Sequence, residues 1–335
     1  SSLRKVGYDN SLVMLDRIHP DATLSSIYTP PDSGYIGELD VHWTADRLLM
    51  TQSDSISWKI WQMNIDGSNL QQISQTPDDV DCGDACYMPT GRIVFGSTAS
   101  MQSVPCWHGQ RRVSNLYSMR ADGSGMRQLC FDQDHNFHPT MLANGQVLYH
   151  RWDYTGINHI YFRQLMVMNP DGTGQRAIYG SNSWFPNSLY FPKALPESSS
   201  QFVAILSGYH GAYRMGRLVV VDTQHGYHNE DGLVTRISGR GQKIEPKIRD
   251  NLVDDDWPKF LHPYPLSDKY FLVSAWLEPT GSWGIYLADV FDNLLLIKES
   301  PGYALLEPTP IKKQVEPRTI PSRINLQKKD AIVYL

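Results

Sequence analysis

Trp58–Ser74 reads WKIWQMNIDGSNLQQIS, Ser114–Cys130 reads SNLYSMRADGSGMRQLC, and Arg163–Tyr179 reads RQLMVMNPDGTGQRAIY. Each stretch holds an alternating apolar run ending in Met, two further residues, Asp-Gly-Ser or Asp-Gly-Thr, and a second short run. Alternation with period two is the signature of a strand. Asp-Gly between two such runs marks a hairpin, because glycine takes positive φ without steric cost. One hairpin recurring at a spacing of roughly 50 residues predicts the blades of a β-propeller.

A second repeat interleaves with the first. Asp40–Met50 (DVHWTADRLLM), Ala85–Phe95 (ACYMPTGRIVF) and Phe137–Tyr149 (FHPTMLANGQVLY) each read as short strand, polar turn, apolar strand. The full unit is therefore strand, turn, strand, connection, strand, Asp-Gly turn, strand, which is one four-stranded antiparallel blade. Units fall at about 38–75, 80–131, 134–180, 184–239 and 257–300. In the fourth, Ser188–Phe191, Phe202–Ser207, Arg217–Asp222 and Val234–Ile237 are the strands; in the fifth, Tyr270–Ala275, Gly284–Asp289 and Leu294–Lys298 are the clearest. Strand-like ends remain at Ser11–Ile18, Thr23–Tyr28 and Tyr303–Ile311. The expected fold is all-β: a six-bladed β-propeller with the terminal strands closing the ring, or seven-bladed if 184–256 holds two units. Residues 1–313 form this domain, and 314–335, with Pro317 and Pro321, read as an extended linker or the start of a further domain.

Composition narrows the function. The 335 residues carry a net charge of −5, which argues against a nucleic-acid partner. No 18-residue apolar stretch predicts a membrane span. The chain begins Ser-Ser, as a mature or trimmed protein would, with no signal peptide in view. Cys82, Cys86, Cys106 and Cys130 share one window. One or two disulfides are the leading reading, free buried thiols the next, a metal site the third. No Cys-x-x-Cys-His occurs, so no covalent haem is expected. Gly-x-Ser-x-Gly, phosphate-loop and dinucleotide fingerprints are absent too.

Long strings then carry a family resemblance: Asn136–Gly156, Met168–Gln175, Tyr179–Tyr190, Gly208–Asp222, Glu245–Trp276 and Trp283–Pro308. From about Gly37 to Leu335 the chain resembles the propeller domain of the hydrazine synthase alpha-subunit-like family, with TolB-like repeats. The resemblance implies the fold. It also implies an exported protein, periplasmic or at the cell surface, associated with carbohydrate and with other domains of a larger protein. That family's own c-type haems attach through Cys-x-x-Cys-His outside the propeller, so no haem ligand transfers to this sequence.

In a propeller the innermost strands line a channel, and their starts meet at one mouth. Aligned on the inner turn, Asp40/His42, Asp84/Cys86, Asn136/His138, Asn187 and Lys259/His262 fall near it. His42, Asp84, His138 and His262 are the expected metal ligands, for Zn, Mn or Ca. The competing reading is a wet channel whose side chains satisfy loop backbone. Alternation sends His135 and His138 to opposite faces, and His138 and His262, each before a proline, are expected on extended backbone. Arg151, Trp152 and Tyr154, with Trp184, Asn187 and Trp257, suit a sugar ligand, through stacking and charged hydrogen bonds. The competing reading is that those aromatics wedge between blades. Tyr209, His210 and Arg214 are the acid/base candidates, with Arg151 to steady an anion. Asp254-Asp255-Asp256 offers Asp255 as a glycosidase carboxylate or a calcium ligand, against a plain loop-capping role. The functional expectation is a carbohydrate lyase or hydrolase, metal-assisted; the alternatives are a non-catalytic glycan-binding or protein-docking propeller and, last, a haem-linked redox subunit.

Overall fold

A computed structural model describes residues 4–19, 21–104, 108–133, 135–153, 163–180, 183, 185–209 and 214–330. Strands β1 (Leu12–Leu15) and β2 (Leu24–Tyr28) pair as a two-stranded hairpin. Five four-stranded antiparallel sheets follow in chain order. Blade one is β3 (Ile36–Val41), β4 (Arg47–Ser53), β5 (Trp58–Asn64) and β6 (Gln71–Gln72). Blade two is β7 (Cys82–Tyr87), β8 (Arg92–Ser97), β9 (Asn115–Arg120) and β10 (Arg127–Gln128). Blade three is β11 (His135–Met141), β12 (Val147–Trp152), β13 (Arg163–Met168) and β14 (Arg176–Tyr179). Blade four is β15 (Ser188–Ala194), β16 (Gln201–Ser207), β17 (Arg217–Asp222) and β18 (Leu233–Arg236). Blade five is β19 (Lys259–Pro265), β20 (Tyr270–Trp276), β21 (Trp283–Asp289) and β22 (Leu294–Lys298).

The repeat units thus appear where the sequence puts them. Among the described residues five blades are complete. Residues 237–258 form no strand, which removes the basis for a seventh, and Tyr303–Ile311, expected as a strand, makes only the bridge Ser300–Tyr303.

The apolar runs of the middle strands are explained by burial on both faces. Along β8, Ile93 and Phe95 pack toward blade one, on Leu49 and Ile60, while Val94 between them packs toward blade three, with Val147 and Tyr149. Along β16, Phe202, Ala204 and Leu206 face blade three, and Val203 and Ile205 face blade five. The core is therefore a series of slabs between consecutive blades. Each fully buried aliphatic or aromatic side chain contributes about 1.5–3 kcal/mol relative to exposure. The hairpin β1–β2 adds Leu12, Ile27 and Tyr28 to a further slab with Leu48, Met50 and Met63 of blade one. At its other side Lys298 of β22 donates to the Ala22 carbonyl at 2.7 Å.

The Asp-Gly turns join β5 to β6, β9 to β10 and β13 to β14, and each docks on the element before its own blade. Gly123 has φ +83, and a Cβ there would lie 2.1 Å from the Ile73 carbonyl oxygen of blade one. Gly67, with φ +86, faces Ile27 of β2 in the same way. Glycine is thus required twice at each turn, for its dihedral and for the close approach. Gly91 has a similar φ of +72 but open space around it. Gly123→Ala should lower stability in urea unfolding by about 2–3 kcal/mol, and Gly91→Ala by about 1, the difference measuring the inter-blade contact. Equal losses for the two variants would show that the turn does not bear on its neighbour.

Candidate functional site: the central channel

Each innermost strand breaks register at the same point: between Gly37 and Asp40, Gly83 and Cys86, Phe137 and Thr140, Tyr190 and Lys193, and Leu261 and Tyr264. The first extra residue of each bulge is left-handed: Glu38 (φ 55), Asp84 (φ 55), His138 (φ 55), Phe191 (φ 50) and His262 (φ 49). Glu307, in the strand-free segment after blade five, has φ 55 as well. The bulge turns this residue and the one two places on toward the channel. All six line one cavity of about 600 Å³, together with Asp40, Cys86, Thr140, Lys193, Tyr264 and Thr309 from the second tier. His138 and His262 therefore do not lie on extended backbone, as their prolines led one to expect; the bulge overrides the local preference.

The charged groups cluster on one side. Glu38 Oε2 accepts hydrogen bonds from the Thr51 hydroxyl and the Asp84 N–H, both at 2.6 Å. Glu307 Oε2 accepts from the Leu39 N–H at 3.1 Å, and Asp40 from the Tyr87 N–H at 2.9 Å. Burial, reinforced by the neighbouring Asp84 charge, pushes Glu38 up to about 7. Burial likewise pushes Asp40 up to about 6 and raises Glu307. Glycine at 37 and 83 makes room for this cluster: a Cβ at Gly83 would sit 2.8 Å from Glu38 Oε2, and one at Gly37 2.9 Å from Glu307 Oε1.

The opposite side is histidine and aromatic. His138 is 6% exposed, with Nδ1 3.3 Å from Asp84 Oδ2, and its backbone N–H also donates to that oxygen. Burial drives His138 toward its neutral form, and Arg214 and Lys193 add to this against the pull of Asp84. A neutral ring in that position carries its proton on Nδ1 and donates it to the carboxylate. Burial alone would raise Asp84; its contacts with His138 outweigh that and hold it below the usual range. His138 Nε2 and His262 Nδ1 are buried without a hydrogen-bond partner. The Phe191 ring lies between the two imidazoles, 4.3 Å from one and 4.6 Å from the other. Burial, with the positive charges of Lys193 and Arg214, pushes His262 down to about 3. At the rim, the Arg214 guanidinium lies 5.1 Å over Phe137 and 5.7 Å over Tyr190. The cavity wall also holds Tyr35 and Trp58, ring centroids 4.8 Å apart, with Tyr8 packed edge-on against both.

Of the expected metal ligands, Asp84, His138 and His262 line the channel but His42 does not. In blade one the register lies two residues from the expected one: Glu38 and Asp40, not Asp40 and His42, match Asp84 and Cys86. His42 sits at the β3–β4 turn, 2.5 Å from Thr44 Oγ1 and packed at a tilt against Trp43. With Phe191 between the histidines the four share no point, and among the described residues no three ligating side chains are grouped to hold a metal. The expected quartet does not fit a metal.

Other candidates fall elsewhere. Trp152 is buried, stacked on His135 at 5.5 Å and packed with Val104 and Val113; it wedges within the structure. Tyr209 packs against that same cluster. Arg151 is tied to Asp132 and to Asn136 Oδ1. Asn187 is buried, and its amide donates to the Arg249 carbonyl. Trp257 packs on Trp276 and lies over Lys259, whose ammonium donates to the Val253, Asp254 and Asp256 carbonyls at 2.7, 2.7 and 3.0 Å. Asp255 is exposed at that loop, whose backbone carbonyls are taken by Lys259. His210, Tyr154 and Trp184 lie outside the described residues, as does Cys106. Cys82, Cys86 and Cys130 are buried free thiols, not disulfides. Among the described residues of the acid/base set, Arg214 reaches the channel and Tyr209 and Arg151 do not line it. Sequence reading placed Asp40 at the channel, where it lies, but missed Glu38, Lys193 and Glu307. The available signal was the repeated X-Pro of His138-Pro139, Phe191-Pro192, His262-Pro263 and Glu307-Pro308.

The fold and the channel together define a β-propeller with a titratable central site. No protein-family model matches the chain, and no curated protein does. Among solved structures it is similar to hydrazine synthase from Kuenenia stuttgartiensis, with a TM-score of 0.68 and 18% identity over 89% of this chain. The chain spans 43% of that protein's length. The resemblance read from the sequence therefore holds at the level of the fold. Weaker likenesses are TolB from Acinetobacter baumannii (TM-score 0.48, 10% identity, 82% of this chain and 58% of that one) and oligogalacturonate lyase from Vibrio parahaemolyticus (0.49, 15%, 80% and 69%). No described helix is long and apolar enough to cross a membrane.

Glu38 gives the site a pH signature. Its proton affinity is higher in the folded protein, at about 7, than at the ordinary value of 4.5. Its contribution to stability is thus fully present below the unfolded value and lost as pH rises through the folded one. Glu38→Gln should match the wild type in thermal stability near about pH 4 and exceed it above about pH 8, by on the order of 2–3 kcal/mol. Parallel stability curves for the two proteins would sink this assignment.

Proposed function

We propose that the channel mouth binds a small acidic carbohydrate and that His138 moves its proton. The observation that carries this is the Asp84–His138 pair: an imidazole held by a carboxylate at Nδ1, with Nε2 left basic and unpartnered. That is the arrangement of an oriented general base. Arg214 at the rim suits the carboxylate of a uronate-type sugar, since a guanidinium pairs with it in a planar, two-bonded geometry. Tyr35 and Trp58 offer the apolar wall on which a sugar ring stacks.

In the reaction that follows, His138 Nε2 takes the proton from the carbon next to the substrate carboxylate. The freed electron pair forms a double bond to the adjacent carbon, and the bond from that carbon to the leaving oxygen breaks. Glu38, protonated in part near neutral pH, supplies the proton to the leaving oxygen. Two carboxylates with separated proton affinities, Glu38 and Asp84, divide the roles of acid and orienting anion. Phe191 gives way for the substrate to reach Nε2. No step runs through a metal.

A non-catalytic glycan-binding propeller is the second reading. It is favoured by the burial of Nε2, which leaves the imidazole out of contact in the ligand-free chain. The ring itself reads as six-bladed in this proposal: Glu307 repeats the bulge dihedral, and Ile27 meets Gly67 as Ile73 meets Gly123. An exported location follows from the family resemblance.

Calorimetric titration with galacturonate and glucuronate oligomers, and ultraviolet absorbance of the unsaturated product, test the proposal. Arg214→Ala should weaken binding of acidic but not neutral sugars by about tenfold or more, the worth of about 1.4 kcal/mol. His138→Ala should leave binding in place and cut turnover by about 100-fold or more. Binding without any wild-type turnover would select the second reading. Indifference to the sugar's carboxylate would reject both roles for Arg214.

A further inference from the structure

The C-terminal segment bounds the channel at the end opposite Arg214, and the proposed reaction makes no use of it. Lys312, Lys313, Gln314, Val315 and Pro317 line the cavity. The Gln314 N–H donates to the Trp43 carbonyl at 2.9 Å, on the inner turn of blade one. The Arg318 N–H donates to the Ala143 carbonyl at 3.2 Å, on the inner turn of blade three. Farther on, the Arg323 N–H and the Ser322 hydroxyl donate to the Asp171 carboxylate at 2.6 and 3.3 Å. The inner turn of blade three is shaped to receive the segment: a Cβ at Gly145 would lie 2.0 Å from the Arg318 carbonyl oxygen.

The same segment buries little of itself. Val315 is 83% exposed, and most side chains from 311 to 323 are exposed. It is held by a handful of hydrogen bonds, each worth about 0.5–1.5 kcal/mol net, with almost no apolar burial behind them. The blades beneath are held by buried slabs. Segments with few buried contacts open locally at a small fraction of the global cost.

We propose that residues 312–323 are a strap that closes the turn-face end of the channel, and that this end opens when the strap lifts while the blades stay folded. Ligand exchange through that end is then controlled by whatever holds or displaces the strap. This does not rest on the carbohydrate reading; it needs only the cavity and the segment across it.

Cys86 is a built-in reporter. Cys86 is buried at the edge of the slab that also holds Cys130 and lines the cavity, whereas Cys82 and Cys130 are buried in the slabs without lining it. Labelling with N-ethylmaleimide, mapped by mass spectrometry, reads each thiol separately. In the wild type, Cys86 should react faster than Cys82 and Cys130, with an opening equilibrium equal to that reported by hydrogen exchange at the Gln314 and Arg318 amides. A Gln314→Pro/Arg318→Pro double variant lacks both backbone donors and should label at Cys86 about tenfold faster or more, a change of about 1.4 kcal/mol in opening. The proposal is overturned if wild-type Cys86 reacts only in step with Cys82 and Cys130. It is overturned equally if a folded double variant labels Cys86 at the wild-type rate.

Discussion

The left-handed residue in every innermost strand is the constraint on which the channel depends. A strand of strict period two would send alternate side chains into the blade slabs and expose a plain backbone ridge to the channel. The bulge inserts one residue and re-aims two, so that Glu38 and Asp40, Asp84 and Cys86, His138 and Thr140 all reach the same space. The left-handed conformation costs roughly 1–2 kcal/mol at a residue with a Cβ. No glycine relieves it at any of the six positions. Such strain persists only where the surroundings over-determine it. Here the surroundings are the two buried faces of each blade, which leave the inner strand no freedom to slip.

That shared geometry carries an unequal chemistry. The residue just before the bulge is Gly37 or Gly83 in blades one and two, but Phe137, Tyr190 and Leu261 in blades three to five. Small residues let Glu307, Glu38 and Tyr35 crowd together; large ones build the aromatic shelf on which Arg214 lies. One half of the channel therefore accumulates proton affinity, and the other holds neutral imidazoles beside positive charge. Lys193 links them electrostatically, lowering the proton affinities of Asp40, Asp84, His138 and His262 alike. A fold with pseudo-rotational symmetry is polar across its axis because the residues at two positions per blade differ.

What could be read from the sequence follows from how local each feature is. The Asp-Gly hairpins were legible because turn chemistry is written in adjacent residues. Blades four and five, which lack that motif, were legible because strands buried on both faces leave continuous apolar runs such as FVAILS and FLVSA. The register of β3 was not legible. Asp40-Val-His42 resembles a strand end, and only the pairing of Gly37 with Thr51 and Asp40 with Leu49 shows where the extra residue lies. The misplacement of His42 and the omission of Glu38 are the same error. Trp152 and Arg151 failed for another reason: a tryptophan stacked for packing and one exposed for a ligand have the same composition, and long-range burial alone separates them.

The lysine at 259 shows how a charged run can mislead. Three consecutive aspartates suggest a cation site, and a cation is indeed there, but it belongs to the chain. The Lys259 ammonium takes the backbone carbonyls of Val253, Asp254 and Asp256, while the Asp256 side chain turns to Arg217. The loop uses main-chain dipoles, which sequence does not display, and leaves Asp255 in solvent. The channel works the other way. Its carboxylates of raised proton affinity, Glu38 and Glu307, sit apart in sequence and come together only because the ring closes. Acidity that is contiguous in the chain is here satisfied locally, and acidity assembled by the fold is left with raised proton affinity, so the second kind is where the chemistry of this propeller should be sought.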